Sequence, residues 1–395
     1  MSENSRREFL KWLIGLGGAA AAGYLLRGLV GDRPPAQEIP TATPTLETPT
    51  LRPSATATRT PSPATSTPTR ATGTEEPTEE SPPTQAPTPT PTPLPWVLPE
   101  GPSKLGLHTI DPNNAFPFVR DIRATGAHVA VVKALGGLGL LREVKQVSPE
   151  TVTIGRVLGL EKVDVSSGNP SDVATYYMNH HMAGWANERD VTDYWEVINE
   201  VSPGTTEGHV WLAHFYSACM EIAEANGYRL ALFSYPTGSP EWYHWAAIVE
   251  TGVFAQAKAG GHILALHEGD WGLIRDTWGG SIPEQPNYDP ERGVLSGRYR
   301  HLYRDFLIPR DEVIPLAMTE FAAIPEGNPE QQQFYWEQIW LREMAWYDSK
   351  MVEDDYVIGA AIFTLGGQGQ WPKFDFEHML PELKEYIIML HERYG

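Results

Sequence analysis

Cysteine is almost missing from this 395-residue chain: Cys219 is the only one. No disulfide can form within the chain, and a thiolate metal cluster is excluded. A single Cys inside an apolar helical pattern reads as a small core residue. Basic residues are scarce too, 30 Lys and Arg against 50 Asp and Glu, for a formal net charge of −20. That surface repels phosphate backbones, so nucleic acid is excluded as a partner. Polyanions are disfavoured unless a cleft is locally basic, and neutral ligands fit better. No His-Glu-x-x-His occurs, and His180 and His181 are adjacent and leave a helix in different directions, so no metal site is expected. The Gly-x-Ser-x-Gly nucleophile elbow is also absent. Nothing points to a cofactor.

Residues 1–95 contain no His and a single Trp, and they hold 8 of the basic and 9 of the acidic residues. The other 300 residues carry 22 basic and 41 acidic groups, 12 of the 13 Trp and all 12 His, enough to build one large core. The chain therefore divides into 1–33, 34–95 and 96–395. In the first part, Ser5-Arg6-Arg7-Glu8-Phe9-Leu10-Lys11 precedes an apolar run from Trp12 to Leu26. This resembles a twin-arginine export signal, which carries folded proteins across a membrane and implies an extracellular or cell-surface location. The alternative is an uncleaved membrane tether, although the run is shorter than the ~20 residues a span needs. The second part is a Thr/Pro tract with few side chains to bury. It reads as an extended, disordered spacer that holds a folded domain away from a surface.

In 96–395, short apolar runs alternate with longer amphipathic stretches. Strands are expected at 104–110, 128–134, 151–157, 194–198, 229–234, 262–267, 313–319 and 357–364. Helices are expected at 115–125, 171–186, 209–226, 241–258, 291–306, 329–350 and 381–394, and 138–147 is a candidate for a short one. Strict alternation implies parallel strands with helical crossovers. Eight such units point to a (β/α)₈ TIM barrel. No Gly-x-Gly-x-x-Gly follows the first strand, which argues against a dinucleotide-binding sheet. Barrel chemistry belongs where strands run into their following loops.

Two apolar strands end on glutamates: Tyr194-Trp195-Glu196-Val197-Ile198-Asn199-Glu200 and Pro315-Leu316-Ala317-Met318-Thr319-Glu320-Phe321. A buried strand does not need a terminal Glu for stability. Three strands apart in a closed barrel, the two can face each other across its mouth. Cleavage of a glycosidic bond uses such a pair, one acid on the leaving oxygen and one carboxylate at the sugar carbon. Asn199-Glu200 after strand four and Glu320 after strand seven resemble the retaining glycoside hydrolases of clan A. That resemblance implies a carbohydrate substrate, Glu200 as acid/base, Glu320 as nucleophile and Asn199 as a contact to the sugar 2-hydroxyl. Val201 follows Glu200 where many members have Pro. The bland alternative makes both glutamates solvated loop residues or salt-bridge partners at the barrel rim.

Other strand ends add candidates. His267 is placed either to orient Glu320 or to fill the core. Glu268 is either a sugar-hydroxyl partner or a rim charge. His108, Lys133 and Arg156 end strands one to three, and a cation there would keep a nucleophilic carboxylate ionised or else pair with the rim. Trp371 is the best sugar platform. Trp271 and Trp278 lie in the long loop after strand six, and Tyr235 follows strand five. Trp336, Trp340 and Trp346 fit helix packing. The expected activity is retaining hydrolysis of a β-linked neutral poly- or oligosaccharide, with transglycosylation a weaker option. The competing expectation is a non-catalytic carbohydrate-binding barrel displayed on a stalk.

Overall fold

A computed structural model describes residues 96–395, apart from 112–113, 283, 286–288 and 368. The export-type segment and the Thr/Pro tract lie outside the described residues. Among the described residues, no helix is long and apolar enough to cross a membrane.

The strands are β1 Leu105–Thr109, β2 Val131–Leu135, β3 Val152–Arg156, β4 Tyr194–Glu196, β5 Ala231–Tyr235, β6 Ile263–Trp271, β7 Leu316–Ile324 and β8 Val357–Leu365. All pair in parallel, in the order β4-β3-β2-β1-β8-β7-β6-β5. A parallel bridge from Trp195 to Leu230 joins β4 to the entry of β5, and the Trp195 amide donates to Arg229 O at 2.9 Å. The ring is thereby closed into a (β/α)₈ barrel.

The crossover helices start where the chain supplies caps. Asn169 accepts from the Ser171 amide ahead of Pro170–Trp185, Thr205 caps Thr206–Ala225, and Asn328 with Gln331 forms a capping box before Pro329–Tyr335. Two expected helices differ. The one at 241–258 is split into Trp242–Val249 and Val253–Gly260, because Gly252 takes φ 78° between them. The one at 291–306 begins only at Tyr299, after a loop held from below by Glu268.

Inward-facing positions repeat every second residue. The lower layer of the barrel is apolar: Val131, Ile154, Ala231, Ile263, Ala265, Ala317 and Ala361 are buried together. Two residues further along three strands come Lys133, Arg156 and His267, so the layer above is ionic. Strands β3 and β4 fix part of it by register, with Gly155 opposite Trp195 and Arg156 opposite Glu196. A Cβ on Gly155 would lie 2.6 Å from Trp195 Cζ3, so only glycine lets the indole cross there. Gly155→Ala is expected to destabilise the domain by roughly 1–3 kcal/mol through overpacking. The check is a lower urea midpoint at unchanged slope.

Candidate active site

The C-terminal mouth of the barrel holds a cleft enclosing about 920 Å³ of empty space, part of it open to solvent. Arg156, Asn199, Glu200, His267 and Glu320 line its floor, and Phe363, Trp371 and Phe374 line one wall. Two local distortions aim the glutamates inward. Between β6 and β7 the pairing steps from Leu266–Met318 to His267–Glu320, which leaves Thr319 as an extra residue. This bulge turns Glu320 to the face that Ala317 occupies below it. Glu200 sits at φ 51°, in the left-handed region that is costly for a residue with a Cβ. Its peptide is pinned on both sides: the Asn199 amide donates to Glu161 O at 2.7 Å and the Glu200 amide to Ser234 O at 2.9 Å.

Glu320 is the most heavily paired group. Its Oε1 accepts from Lys133 Nζ at 2.9 Å and from Arg156 Nη1 at 3.1 Å, and His108 Nε2 lies 3.7 Å away. Burial would raise its pKa, but His267, Lys133, Arg156 and His108 outweigh burial and hold the carboxyl well below its usual range. His108 is itself driven well below the ordinary histidine value, mainly by burial, and its Nδ1 pairs with Thr364 Oγ1 at 2.7 Å. Arg156 is pushed up, because Glu320, Glu196, Glu161 and Glu200 outweigh its own burial. It also donates to Asn199 Oδ1.

Glu200 is paired differently. Its Oε1 meets His267 Nδ1 at 3.1 Å, while the same nitrogen lies 3.6 Å from Glu320 Oε2. His267 thus bridges both carboxylates and sits nearer to Glu200 than to Glu320. One atom from each of Glu200, His267 and Glu320 falls within 4.8 Å of the others. Such a trio could in principle take a cation, but Lys133 and Arg156 already neutralise Glu320 from within hydrogen-bond distance. The set therefore suits a proton and a neutral substrate better than a metal ion.

Several expected contacts are corrected. Tyr235 is fully buried, and its hydroxyl pairs with His209 Nδ1 at 2.8 Å, behind the cleft wall. Trp271 packs beside Ile324 and Phe374 and does not line the cleft. Trp278 lies beneath the Arg300 guanidinium and the Lys350 ammonium, 5.1 and 5.6 Å from its ring centre, as a packing residue. Glu268 borders the cleft but is neither a rim charge nor free for a sugar. Its oxygens accept from the Gly297 amide at 2.5 Å, the Tyr299 amide at 3.0 Å and the Tyr347 hydroxyl. Trp371 does line the cleft, set edge-on to Phe363 and Phe374.

Sequence reasoning passed over Glu196. Its side chain is wholly buried beneath the cleft, with Lys133 Nζ at 2.9 Å and Arg156 Nη1 at 3.2 Å from Oε2. Burial opposes its charge, but Lys133, Arg156 and His267 bring its pKa down to about 2. A charged residue four positions before Glu200 on an apolar strand was the available signal.

No protein-family model matches the chain, and no curated protein is similar to it. Among solved structures, a family 39 glycoside hydrolase from the gut symbiont Bacteroides cellulosilyticus is 11% identical, with a TM-score of 0.42. That match covers 70% of this chain and 60% of the other, so this chain spans less than two thirds of its length. An endo-1,4-β-D-mannanase from Thermotoga petrophila is 11% identical at TM-score 0.40, over 73% of this chain and 99% of that one. An endo-β-1,4-glucanase from Xanthomonas axonopodis is 10% identical at TM-score 0.39, over 73% and 99%.

Burial raises the Glu268 pKa to about 7 from an ordinary 4.5, against the hydrogen bonds that Tyr347, Gly297 and Tyr299 give it. Ionisation therefore costs more in the folded chain than in the unfolded one. The contribution of Glu268 is greatest below about pH 4.5 and declines as the pH rises toward 7. Between about pH 5 and 8, the melting temperature of Glu268→Gln should move upward relative to wild type. Thermal melts across that range test this, and a gap that does not change with pH contradicts it.

Proposed function

We propose that the barrel is a glycoside hydrolase that cleaves β-glycosidic bonds of a neutral poly- or oligosaccharide with retention. The observation that carries this reading is the asymmetry of two close carboxylates. Glu320 has two cations on one oxygen, whereas among the described residues the Glu200 carboxylate pairs with His267 alone. Their oxygens approach within 4.8 Å, which fits the close spacing of about 5–5.5 Å used for direct attack rather than the wider spacing of inverting enzymes.

The steps follow from this asymmetry. Glu320, held ionised, forms a bond to the anomeric carbon as the bond from that carbon to the leaving oxygen breaks. The Glu200 proton passes to the leaving oxygen, so negative charge moves from Glu320 to Glu200. Water then attacks the same carbon and gives its proton to Glu200, and the ester bond to Glu320 breaks. The preceding Asn199, positioned by Arg156, faces the sugar beside the ester, and Trp371 offers a ring face for its C–H groups. We place the enzyme outside the cell on its Thr/Pro spacer, a reading supported by the sequence of residues 1–95 alone.

Glu320→Gln should lower turnover of aryl β-glycosides by roughly 10³-fold or more with the fold intact. Normal turnover by that variant would remove Glu320 as nucleophile. Proton NMR of the first product formed should show the anomer of the substrate, and inverted product would overturn retention. A barrel that only binds sugar would retain oligosaccharide in pull-down and hydrolyse none of a panel of β-glucan, xylan, mannan and galactan.

A further inference from the structure

Glu196 has no place in the two-carboxylate chemistry. It does not line the cleft and its side chain is 0% exposed, yet it shares both cations of Glu320. Lys133 Nζ stands 2.9 Å from each carboxylate, and Arg156 Nη1 stands 3.1 Å from Glu320 and 3.2 Å from Glu196. Among the described residues, Lys133 has no further carboxylate that could replace Glu196. Arg156, by contrast, also reaches Glu161 through Nε at 3.3 Å and donates from Nη1 to Asn199 Oδ1.

The charge arithmetic gives Glu196 a task. Before reaction, Glu196 and Glu320 balance Lys133 and Arg156. In the first step negative charge leaves Glu320 for Glu200, and in the second it returns. Two cations acting on Glu320 alone would hold charge there, so the first step would slow and the second would be favoured. We infer that Glu196 is a positioning residue that divides Lys133 and Arg156 between two carboxylates and so keeps the two half-reactions in balance. This rests on the retaining reading of the same site. The charged and titratable groups facing Glu196 are Lys133 from β2, Arg156 from β3, His267 from β6, Glu320 from β7 and His108 from β1, with the Tyr216 hydroxyl behind it.

The test separates the half-reactions. A 2,4-dinitrophenyl 2-deoxy-2-fluoro-β-glycoside, of a sugar that the wild type hydrolyses, traps the ester on Glu320, and mass spectrometry follows its formation. Reactivation of the purified adduct in buffer follows its release. In Glu196→Gln, trapping should slow on the order of tenfold or more while reactivation stays level or quickens. Lys133→Gln removes a cation but leaves Glu196, so it should shift the balance the other way, with reactivation slowed relative to trapping. It carries the test if Glu196→Gln does not fold, as judged by circular dichroism. Equal losses in both steps, or no loss in either, overturn the inference. If the wild type forms no adduct and hydrolyses no glycoside, the retaining reading itself fails and this inference falls with it. If the wild type forms the adduct and the variants partition as it does, only the role of Glu196 is lost.

Discussion

Two cations inside the barrel, Lys133 and Arg156, are the constraint on which the rest of the mouth depends. Stripping such groups of water costs several kcal/mol each, and only close carboxylates offset that. Glu196 and Glu320 do so together, from below and from the cleft side. Removing one member of a buried set of this kind costs roughly 3–5 kcal/mol, because an uncompensated charge is left behind. The cluster is therefore most stable when complete. Completeness also fixes the Glu320 carboxylate, which cannot swing away without abandoning both cations. The same charges that make the layer costly to build make its geometry stiff.

This balance also bears on what enters. The domain outside the N-terminal segments is strongly acidic. A polyanionic ligand would need a locally basic cleft to overcome that field. The floor does not provide one, since Lys133 and Arg156 are already matched by Glu196 and Glu320, and Glu161 adds further negative charge. The cleft walls are aliphatic and aromatic, with Leu135, Leu158, Phe363 and Trp371 among them. Neutral, hydroxyl-bearing chains with C–H faces suit those walls.

The alternation of strand and helix was legible because parallel strands buried on both faces read as apolar runs. Glu200 and Glu320 stood out as charges at the ends of such runs. What could not be read was direction. Counting by twos from Ala317 puts Glu320 on the outer face, and only the extra residue at Thr319 brings it inward. Glu200 likewise depends on a backbone angle of 51° that no side-chain pattern reveals. Glu196 was passed over for a related reason: a charge in mid-strand conflicts with an apolar reading until its cations arrive from two other strands. Tyr235 shows the opposite error, since a strand-end position did not guarantee that its ring faced the cleft.

Glu268 and Glu320 show how far environment divides one residue type. Their strands are adjacent, and His267, which pairs with Glu320, is the residue before Glu268. His267 points into the mouth and Glu268 points outward, as consecutive strand residues must. Outside, Glu268 meets only neutral donors at close range, two amides and a phenol, and its pKa rises to about 7. Inside, Glu320 meets ammonium and guanidinium groups and is held well below its usual range. Both are largely buried, so burial alone does not separate them; the charge of their partners does. The outer glutamate ties the loop before Tyr299 to β6, and the inner one is held ionised beside Lys133 and Arg156. A single step along β6 therefore links that loop to the floor of the cleft.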